Sequence, residues 1–262
     1  MFALRLRTKR RIIPRNIKMC GRFTLKTPVA NWLADLFPTW QDGNAFANEN
    51  VPIELTRARY NIAPSQSILV VHVDADGRPV LEGMRWGLLP SWADALSVGY
   101  NMINARSESI AEKPSFRPSL VDKRCVILAD GYYEWKKRSS KIKEPYWIHQ
   151  PGEGVFAMAG LWAENFKIRV PDSGCNSIRS TTIITTPSNS DTESLHDRMP
   201  AIFFDAEQVS HWLAPELNHT RFSTQLLEQL MPSDPGSLIT RRVTTAVNTV
   251  KTDSESLLYP AQ

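Results

Sequence analysis

The chain has 262 residues, of which 42% are hydrophobic and 22% are charged, so it can bury a sizeable core, and we favour one large domain over two small ones. Its apolar runs, such as SILVVHV at 67–73, stop at strand length and fall short of the ~20 residues that a membrane-spanning helix needs. Only three cysteines occur, Cys20, Cys125 and Cys175, and their spacing fits neither a paired disulfide framework nor a zinc site. We therefore expect a cytoplasmic protein with no metal or other cofactor and no membrane partner.

The formal net charge of +4 comes entirely from the first 18 residues. Residues 1–18 hold seven basic residues and no acidic one, which leaves residues 19–262 with 24 basic against 27 acidic residues, a net charge of −3. Such a basic leader fits an organelle transit peptide, a nucleic-acid-binding arm, or upstream sequence translated from a wrongly chosen start. We favour the last, because a methionine before the small side chain of Cys20 is a good substrate for methionine removal. The expected domain then spans 19–255.

Hydrophobic spacing predicts the elements in chain order. PVANWLADLF at 28–37 has helical spacing, and the polar stretch 38–58 is typical of a loop. Residues 67–87 predict a hairpin, with two β-rich runs on either side of the DADG turn. Later segments predict strands at RCVILADGYYEW (124–135), PYWIHQ (145–150), VFAMAGLWAE (155–164) and STTIITT (180–186), and helices at AEQVSHWLA (206–214) and FSTQLLEQLM (222–231). Strands in the middle with helices at the periphery indicate an α+β fold built on a curved, mostly antiparallel sheet.

Cys20 is the first candidate for chemistry. If Met19 is removed, Cys20 presents a free α-amine beside its thiol, and the reference pKa of an α-amine is about 7.7–8.0, against about 10.4 for lysine. Roughly a tenth of such amines are unprotonated at pH 7, compared with about one in two thousand lysines. An aldehyde would condense with this amine to a Schiff base, and the thiol could close a thiazolidine ring. The alternative is that Cys20 is an ordinary buried residue of a strand.

Two further stretches carry polar residues suited to a site. In INARSES, Asn104 and Arg106 alternate, so on a strand both face one side, where an amide and a guanidinium could hold a substrate oxygen and a phosphate. A plain surface strand is the alternative. In ADGYYEW, Glu134 stands in an aromatic run, where its pKa should be raised and it could act as general acid or base. A buried structural salt bridge would explain it equally well.

Histidine and tryptophan complete the candidate residues. His196 and Arg198 alternate in SLHDRMP, and the histidine is the natural proton shuttle because its reference pKa is about 6.5, although a lone histidine is more often structural. Trp92 belongs to MRWGLLPSWAD, whose aromatic residues are either core or an exposed surface on which bases stack.

Positive charge is concentrated in one part of the otherwise acidic chain. Residues 105–143 contain five acidic residues and ten basic ones, which are Arg106, Lys113, Arg117, Lys123, Arg124, Lys136, Lys137, Arg138, Lys141 and Lys143. We expect affinity for an anionic partner such as nucleic acid to come from this patch and to fall with salt, unless the patch is merely a solvated charged face.

Seven motifs occur in the order seen in one family. They are MCGRF (19–23), RYNIAPSQ (59–66), RWGLLPSWA (85–93), NARSES (104–109), KPSF (113–116), ADGYYEWK (129–136) and HDRMP (196–200). Together they resemble the SOS-response-associated peptidase family, the abasic-site processing proteins. Each motif alone is weak, but seven in order, from Met19 to about Val250, are specific.

The resemblance implies a single α+β domain with a barrel-like sheet core. It also implies a partner, single-stranded DNA containing an abasic site, whose ring-opened sugar aldehyde would form a thiazolidine crosslink with the N-terminal cysteine. Carried over by motif, Cys20 supplies amine and thiol, Asn104 positions the cysteine or the sugar, Glu134 assists proton transfers, and His196 promotes sugar ring opening and reversal of the link.

The DNA-binding residues that the resemblance implies are Arg22, Arg106 and Arg198, which would contact phosphates beside the lesion, together with the exposed aromatic Trp92. The resemblance also implies an autopeptidase step, which would remove the residues before the cysteine, and Cys20 and Glu134 would act in this step too. We expect a monomer, which would be associated with the nucleoid if the source is bacterial.

Two departures from the family pattern matter. Members often carry paired tryptophans where this chain has Trp92 followed by Ala93, which favours single-strand binding over binding at a duplex junction. With residues 1–18 attached, the nitrogen of Cys20 is an amide and cannot form a Schiff base. Two alternatives to crosslinking stay open: a thiol peptidase that combines Cys20 with His196 and Asn104, and a non-catalytic single-strand binder.

Overall fold

Thirteen strands form the framework of the described residues, which are 20–28, 36–38, 51–139, 142–169, 176–214 and 224–261 of a computed structural model. In chain order the strands are β1 Phe23–Leu25, β2 Arg59–Ile62, β3 Ser67–Val73, β4 Pro79–Trp86, β5 Asn104–Arg106, β6 Arg124–Ala129, β7 Gly131–Lys137, β8 Lys143–His149, β9 Phe156–Asn165, β10 Ile178–Pro187, β11 Arg198–Pro200, β12 Ile202–Phe203 and β13 Ile239–Arg242. The α-helices in these ranges are α1 Arg117–Asp122, α2 Ala206–Leu213 and α3 Thr224–Glu228.

Five strands close into a barrel. The ring runs β10-β4-β3-β6-β9 and returns to β10, and each neighbouring pair is antiparallel except the parallel pair of β4 and β10. The short strands β5, β11 and β12 extend this sheet. The barrel strands consist almost wholly of apolar, β-branched and small residues, which suits strands buried on both faces. The prediction of an α+β fold with a curved, barrel-like, mostly antiparallel core is confirmed.

A second sheet lies beside the barrel, in the order β13-β8-β7-β1-β2, with all pairs antiparallel. The chain passes from barrel strand β6 to second-sheet strand β7 at Asp130. Gly131 is required here, because a Cβ at this position would lie 2.1 Å from Nε1 of Trp147. The run 124–135, predicted as one stretch of strand, is therefore two strands in two sheets.

The predicted hairpin and the first predicted peripheral helix are present in the structure. The hairpin of β3 and β4 pairs Val71 with Leu81, and its DADG turn ends on Gly77 with φ 76°. Helix α2 begins after Asp205, whose side chain accepts a hydrogen bond from the backbone N–H of Gln208 at 2.8 Å. Helix α3 ends at Glu228, three residues before the end of the predicted helix 222–231, whose first two residues lie outside the described residues. Most of the predicted helix 28–37 and part of the predicted loop 38–58 lie outside the described residues.

The core joins the two sheets. One buried cluster includes Cys20 and Phe23 beside barrel residues such as Trp86, and the rings of Phe23 and Trp86 pack edge to face at 5.2 Å. A smaller cluster around Tyr133 and Trp147 covers the other side of the second sheet. Within the described ranges, no helix is long and apolar enough to span a membrane.

Candidate active site

Cys20 and Glu134, separated by 114 residues in sequence, are in direct contact. The backbone nitrogen of Cys20 donates a hydrogen bond to Oε1 of Glu134 at 2.6 Å. The ladder between β1 and β7 produces this contact, since Phe23 pairs with Tyr132 and the backbone N–H of Tyr133 donates to the carbonyl of Arg22. The nitrogen held against the carboxylate is the one that becomes an α-amine when the bond between Met19 and Cys20 is broken.

Burial controls the protonation of both groups. Removal from water raises the pKa of Glu134 to about 7, although hydrogen bonds from the backbone N–H groups of Cys20 and Trp135 favour its ionised form. Burial also raises the pKa of the Cys20 thiol well above its usual range, and the nearby Glu134 carboxylate adds to this. The site therefore combines a carboxyl that exchanges protons near neutral pH with a thiol that stays protonated.

Backbone strain marks the same position. Cys20 has φ 42°, in the left-handed region that residues other than glycine seldom adopt. Such conformations persist where surrounding contacts fix them, and here the hydrogen bond to Glu134 and complete burial of Cys20 do so.

Asp130 anchors β1, the strand that follows Cys20, a role that the sequence reasoning missed. Its buried carboxylate accepts hydrogen bonds from the Thr24 hydroxyl at 2.6 Å, the backbone N–H of Lys26 at 2.6 Å, and both the N–H and the hydroxyl of Thr27 at 2.9 and 3.0 Å. An acidic residue between two apolar strand runs was the available signal in the sequence. Asp130 fixes β1 against β7 and so fixes Cys20 against Glu134.

His196 belongs to the same electrostatic surroundings as Glu134. Burial lowers the pKa of the His196 imidazole, the positive charges of Arg198 and Lys143 lower it further, and the carboxylate of Asp197 raises it. The imidazole is therefore mainly neutral at pH 7. Its Nδ1 atom lies 2.8 Å from Oδ1 of Asp197. Asp197 and Lys143 also act on the pKa of Glu134.

Strand β10 brings together the residues of the INARSES and HDRMP motifs. Its segment Ile183–Thr185 pairs with β5, which carries Asn104 and Arg106, and its segment Thr185–Pro187 pairs with β11, which begins at Arg198. Asn104 is half-buried and Arg106 is exposed, while Ala105 between them is buried, in agreement with the predicted alternation.

Arg198 and Arg22 are held by internal contacts. Both terminal nitrogens of Arg198 bind the carboxylate of Glu108, and one also donates to the carbonyl of Thr185 at 2.5 Å. Arg22 donates to Oδ1 of Asn61 at 2.8 Å and to the carbonyl of Val247 at 2.7 Å. Their predicted contacts with phosphates stay predictions.

The structure exposes the predicted aromatic residue but leaves fewer basic side chains free at the surface than the sequence predicted. Trp92 is 51% exposed in the loop after β4, which leaves its ring available for stacking. The prediction that Arg124 belongs to a basic surface patch is wrong. Arg124 is buried, and its guanidinium donates hydrogen bonds to the carbonyls of Trp212 and Ala214 at 2.8 Å. Arg138 is exposed but paired with Glu144 at 2.6 Å. Among the described residues, no group of three or more His, Cys, Asp or Glu side chains could hold a metal ion.

The family model described as SOS response associated peptidase (SRAP) matches residues 19–250. The chain belongs to this family. The chain is 38% identical over 240 residues to the abasic site processing protein YoqW of Bacillus subtilis (strain 168), which covers 92% of this chain and 99% of that protein. It is also 35% identical over 205 residues to the abasic site processing protein HMCES of Xenopus tropicalis, over 68% of this chain and 57% of that protein.

Solved structures share the fold of this SRAP-family chain. A protein from Bacteroides thetaiotaomicron superposes with a TM-score of 0.74 at 22% identity, over 93% of this chain and all of the other. A phage-related protein from Bordetella bronchiseptica gives a TM-score of 0.61 at 25% identity, over 86% of this chain and 94% of the other.

Proposed function

We propose that this SRAP-family chain processes abasic sites in single-stranded DNA by forming a covalent thiazolidine with the ring-opened sugar. The observation that carries the proposal is the 2.6 Å contact between the nitrogen of Cys20 and the Glu134 carboxylate, whose pKa is about 7. Membership of the family, and its relatives named abasic site processing proteins, support DNA with abasic sites as the substrate class.

The reaction begins at the amine of Cys20. Glu134 accepts a proton from the ammonium group, and the freed amine adds to the aldehyde carbon of the opened sugar. A proton moves from nitrogen to oxygen to give the neutral carbinolamine, and the same carboxyl then returns its proton to the carbinolamine oxygen, which leaves as water and gives an iminium. The Glu134 carboxylate takes the N–H proton of the iminium, which leaves a neutral imine. The thiol adds to the imine carbon, the electron pair of the C=N bond moves to nitrogen, and the thiol proton ends on that nitrogen.

The other residues act on the DNA. The neutral imidazole of His196 is suited to promote opening of the sugar ring and, in reverse, release of the link, while Asn104 positions the sugar or the cysteine. Arg22, Arg106 and Arg198 contact phosphates beside the lesion, and Trp92 stacks on a base. Arg198 must exchange at least part of its pairing with Glu108 for a phosphate oxygen.

Exposure of the amine requires loss of everything before Cys20. Either removal of Met19 as the first residue or autopeptidase cleavage of the bond between Met19 and Cys20 frees this amine. Cys20 and Glu134 act in the autopeptidase cleavage. Burial of the Cys20 side chain favours crosslinking over a peptidase that acts on other proteins, because such an enzyme needs an accessible thiolate, and burial also raises the pKa of this thiol.

Mass spectrometry tests the proposal. The purified protein is first shown to begin at Cys20 and is then incubated with an abasic single-stranded oligonucleotide. We expect an adduct with the mass of protein plus DNA minus one water, which is absent in Cys20→Ala. A protein that retains DNA only under native conditions would be a non-catalytic binder, and the proposal would be wrong.

A further inference from the structure

Tyr132 places a phenol hydroxyl in the same buried region as Cys20 and Glu134. It lies on β7 two residues before Glu134, so the two side chains share one face of the strand. Tyr132 pairs with Phe23 on β1 and belongs to the same buried cluster as Cys20. The side chain is completely buried, as are the thiol of Cys20 and nearly all of Glu134.

The hydroxyl of Tyr132 lacks a hydrogen-bond partner of normal geometry within the described part of the chain. A buried hydroxyl without a partner carries a desolvation cost, so its retention beside a nucleophile points to a ligand or an intermediate that completes it. Burial raises the pKa of this phenol well above its usual range, and the proximity of two acidic groups, Cys20 and Glu134, reinforces the shift, while the Thr192 hydroxyl opposes it. The group therefore stays a neutral O–H donor throughout the accessible pH range.

We propose that Tyr132 is a further catalytic residue, whose hydroxyl donates a hydrogen bond to the sulfur of Cys20 while that sulfur attacks the imine. This inference rests on the proposed function. In the closing step the S–H bond breaks, the C–S bond forms, and the proton ends on the former imine nitrogen. Negative charge develops on sulfur during this transfer in a buried region, and the phenol stabilises it while keeping its own proton.

The proposal separates two steps that share the same nucleophilic residue. Imine formation needs the amine and Glu134 but no charge on sulfur, so it does not depend on Tyr132. Ring closure needs the sulfur and therefore does. A purely structural tyrosine would affect both steps equally.

The experiment uses protein that begins at Cys20, an abasic single-stranded oligonucleotide, and two quenches at each time point. Borohydride reduces an imine to a stable secondary amine and so reports the first step, whereas denaturation without reductant leaves only the thiazolidine. For Tyr132→Phe we expect borohydride-trapped adduct to form at the wild-type rate within about twofold, and stable crosslink to form roughly three- to tenfold more slowly, as expected for one hydrogen bond.

Tyr133→Phe is the matched control. It removes the same atom from the next residue of β7, where the hydroxyl donates to the carbonyl of Tyr60 at 2.8 Å on the other side of the sheet. We expect it to leave the ratio of the two adducts unchanged even though it loses a hydrogen bond of the fold. Melting temperatures of both variants verify that they are folded.

Wild-type rates for both adducts in Tyr132→Phe would overturn the inference, and so would an equal loss of both. Either result leaves the proposed function intact, because the wild-type protein still crosslinks. If the wild-type protein forms neither adduct, the proposed function itself fails.

Discussion

At the scale of single residues, chemistry in this chain depends on one buried carboxyl. Glu134 is 3% exposed, and its pKa of about 7 results mainly from burial rather than from a neighbouring charge. A surface glutamate, with a reference pKa of about 4.3, would be ionised at neutral pH and would be too weak a base to take a proton efficiently from the ammonium group. The sequence indicated this residue through its aromatic neighbours, but it left open whether a salt bridge would neutralise it.

The pH dependence of crosslinking follows from this pKa. Glu134 must begin as the carboxylate, which predominates above about pH 7, so we expect the crosslinking rate of the wild type to rise as the pH passes through about 7. In Glu134→Gln this rise should be absent. This pH dependence is measured as the rate of adduct formation between pH 5 and 9 under single-turnover conditions.

Titration of the α-amine adds a second step to that profile. Because the nitrogen of Cys20 lies 2.6 Å from the Glu134 carboxylate, whose charge favours the ammonium form, we expect this second step to move to lower pH in Glu134→Gln. A profile that is the same in Glu134→Gln as in the wild type would assign the titrations to other groups.

At the scale of elements, the passage from β6 to β7 determines the site. Six residues of β6 belong to the barrel and seven of β7 belong to the second sheet, and Asp130 between them bonds to the segment after β1. The apolar pattern of 124–135 predicts strand throughout, because both strands are buried and alternation alone does not indicate a change of sheet.

Replacement of Asp130 tests this anchoring role. In Asp130→Ala, Thr24, Lys26 and Thr27 lose a charged acceptor, so we expect a loss of roughly 3 kcal/mol in the free energy of unfolding and a slower crosslinking rate. Urea denaturation and the crosslinking assay measure the two effects.

Asp205→Ala is the control for this loss. It removes a single N-cap hydrogen bond at α2 and should cost about 1 kcal/mol without changing the crosslinking rate of the folded protein. If Asp130→Ala also crosslinks at the wild-type rate, Asp130 stabilises the fold but does not position Cys20.

At the scale of the whole molecule, closure of the barrel positions the two short strands that carry Asn104 and Arg198. Strand β10 pairs with β9 and β4 to close the ring, and it also carries β5 and β11, which hold Asn104 and Arg198. Gly160 on β9 lies at this closure, where a Cβ would come within 2.2 Å of Cδ1 of Ile127 and 3.0 Å of the carbonyl of Thr182.

Gly160→Ala should therefore strain the barrel. The carbonyl of Thr182 is backbone and cannot move without disturbing the pairing of β9 with β10, so we expect a loss of about 1–3 kcal/mol and a lower melting temperature. Thermal unfolding followed by circular dichroism measures it. A variant as stable as the wild type would mean that β9 and β10 separate locally at little cost.

The sequence by itself determined the fold class, the main strands and helices, the family and the identity of the candidate nucleophile. These features depend on local alternation, turn residues and short motifs, which can be recognised without knowing what packs against them. Only the tertiary structure decided that Cys20 contacts Glu134, that Asp130 anchors β1, that Arg198 pairs with Glu108 and that Arg124 is buried. Each of these contacts joins residues distant in sequence, so it depends on strand register, on the change of sheet at Asp130 and on burial, none of which a local pattern specifies.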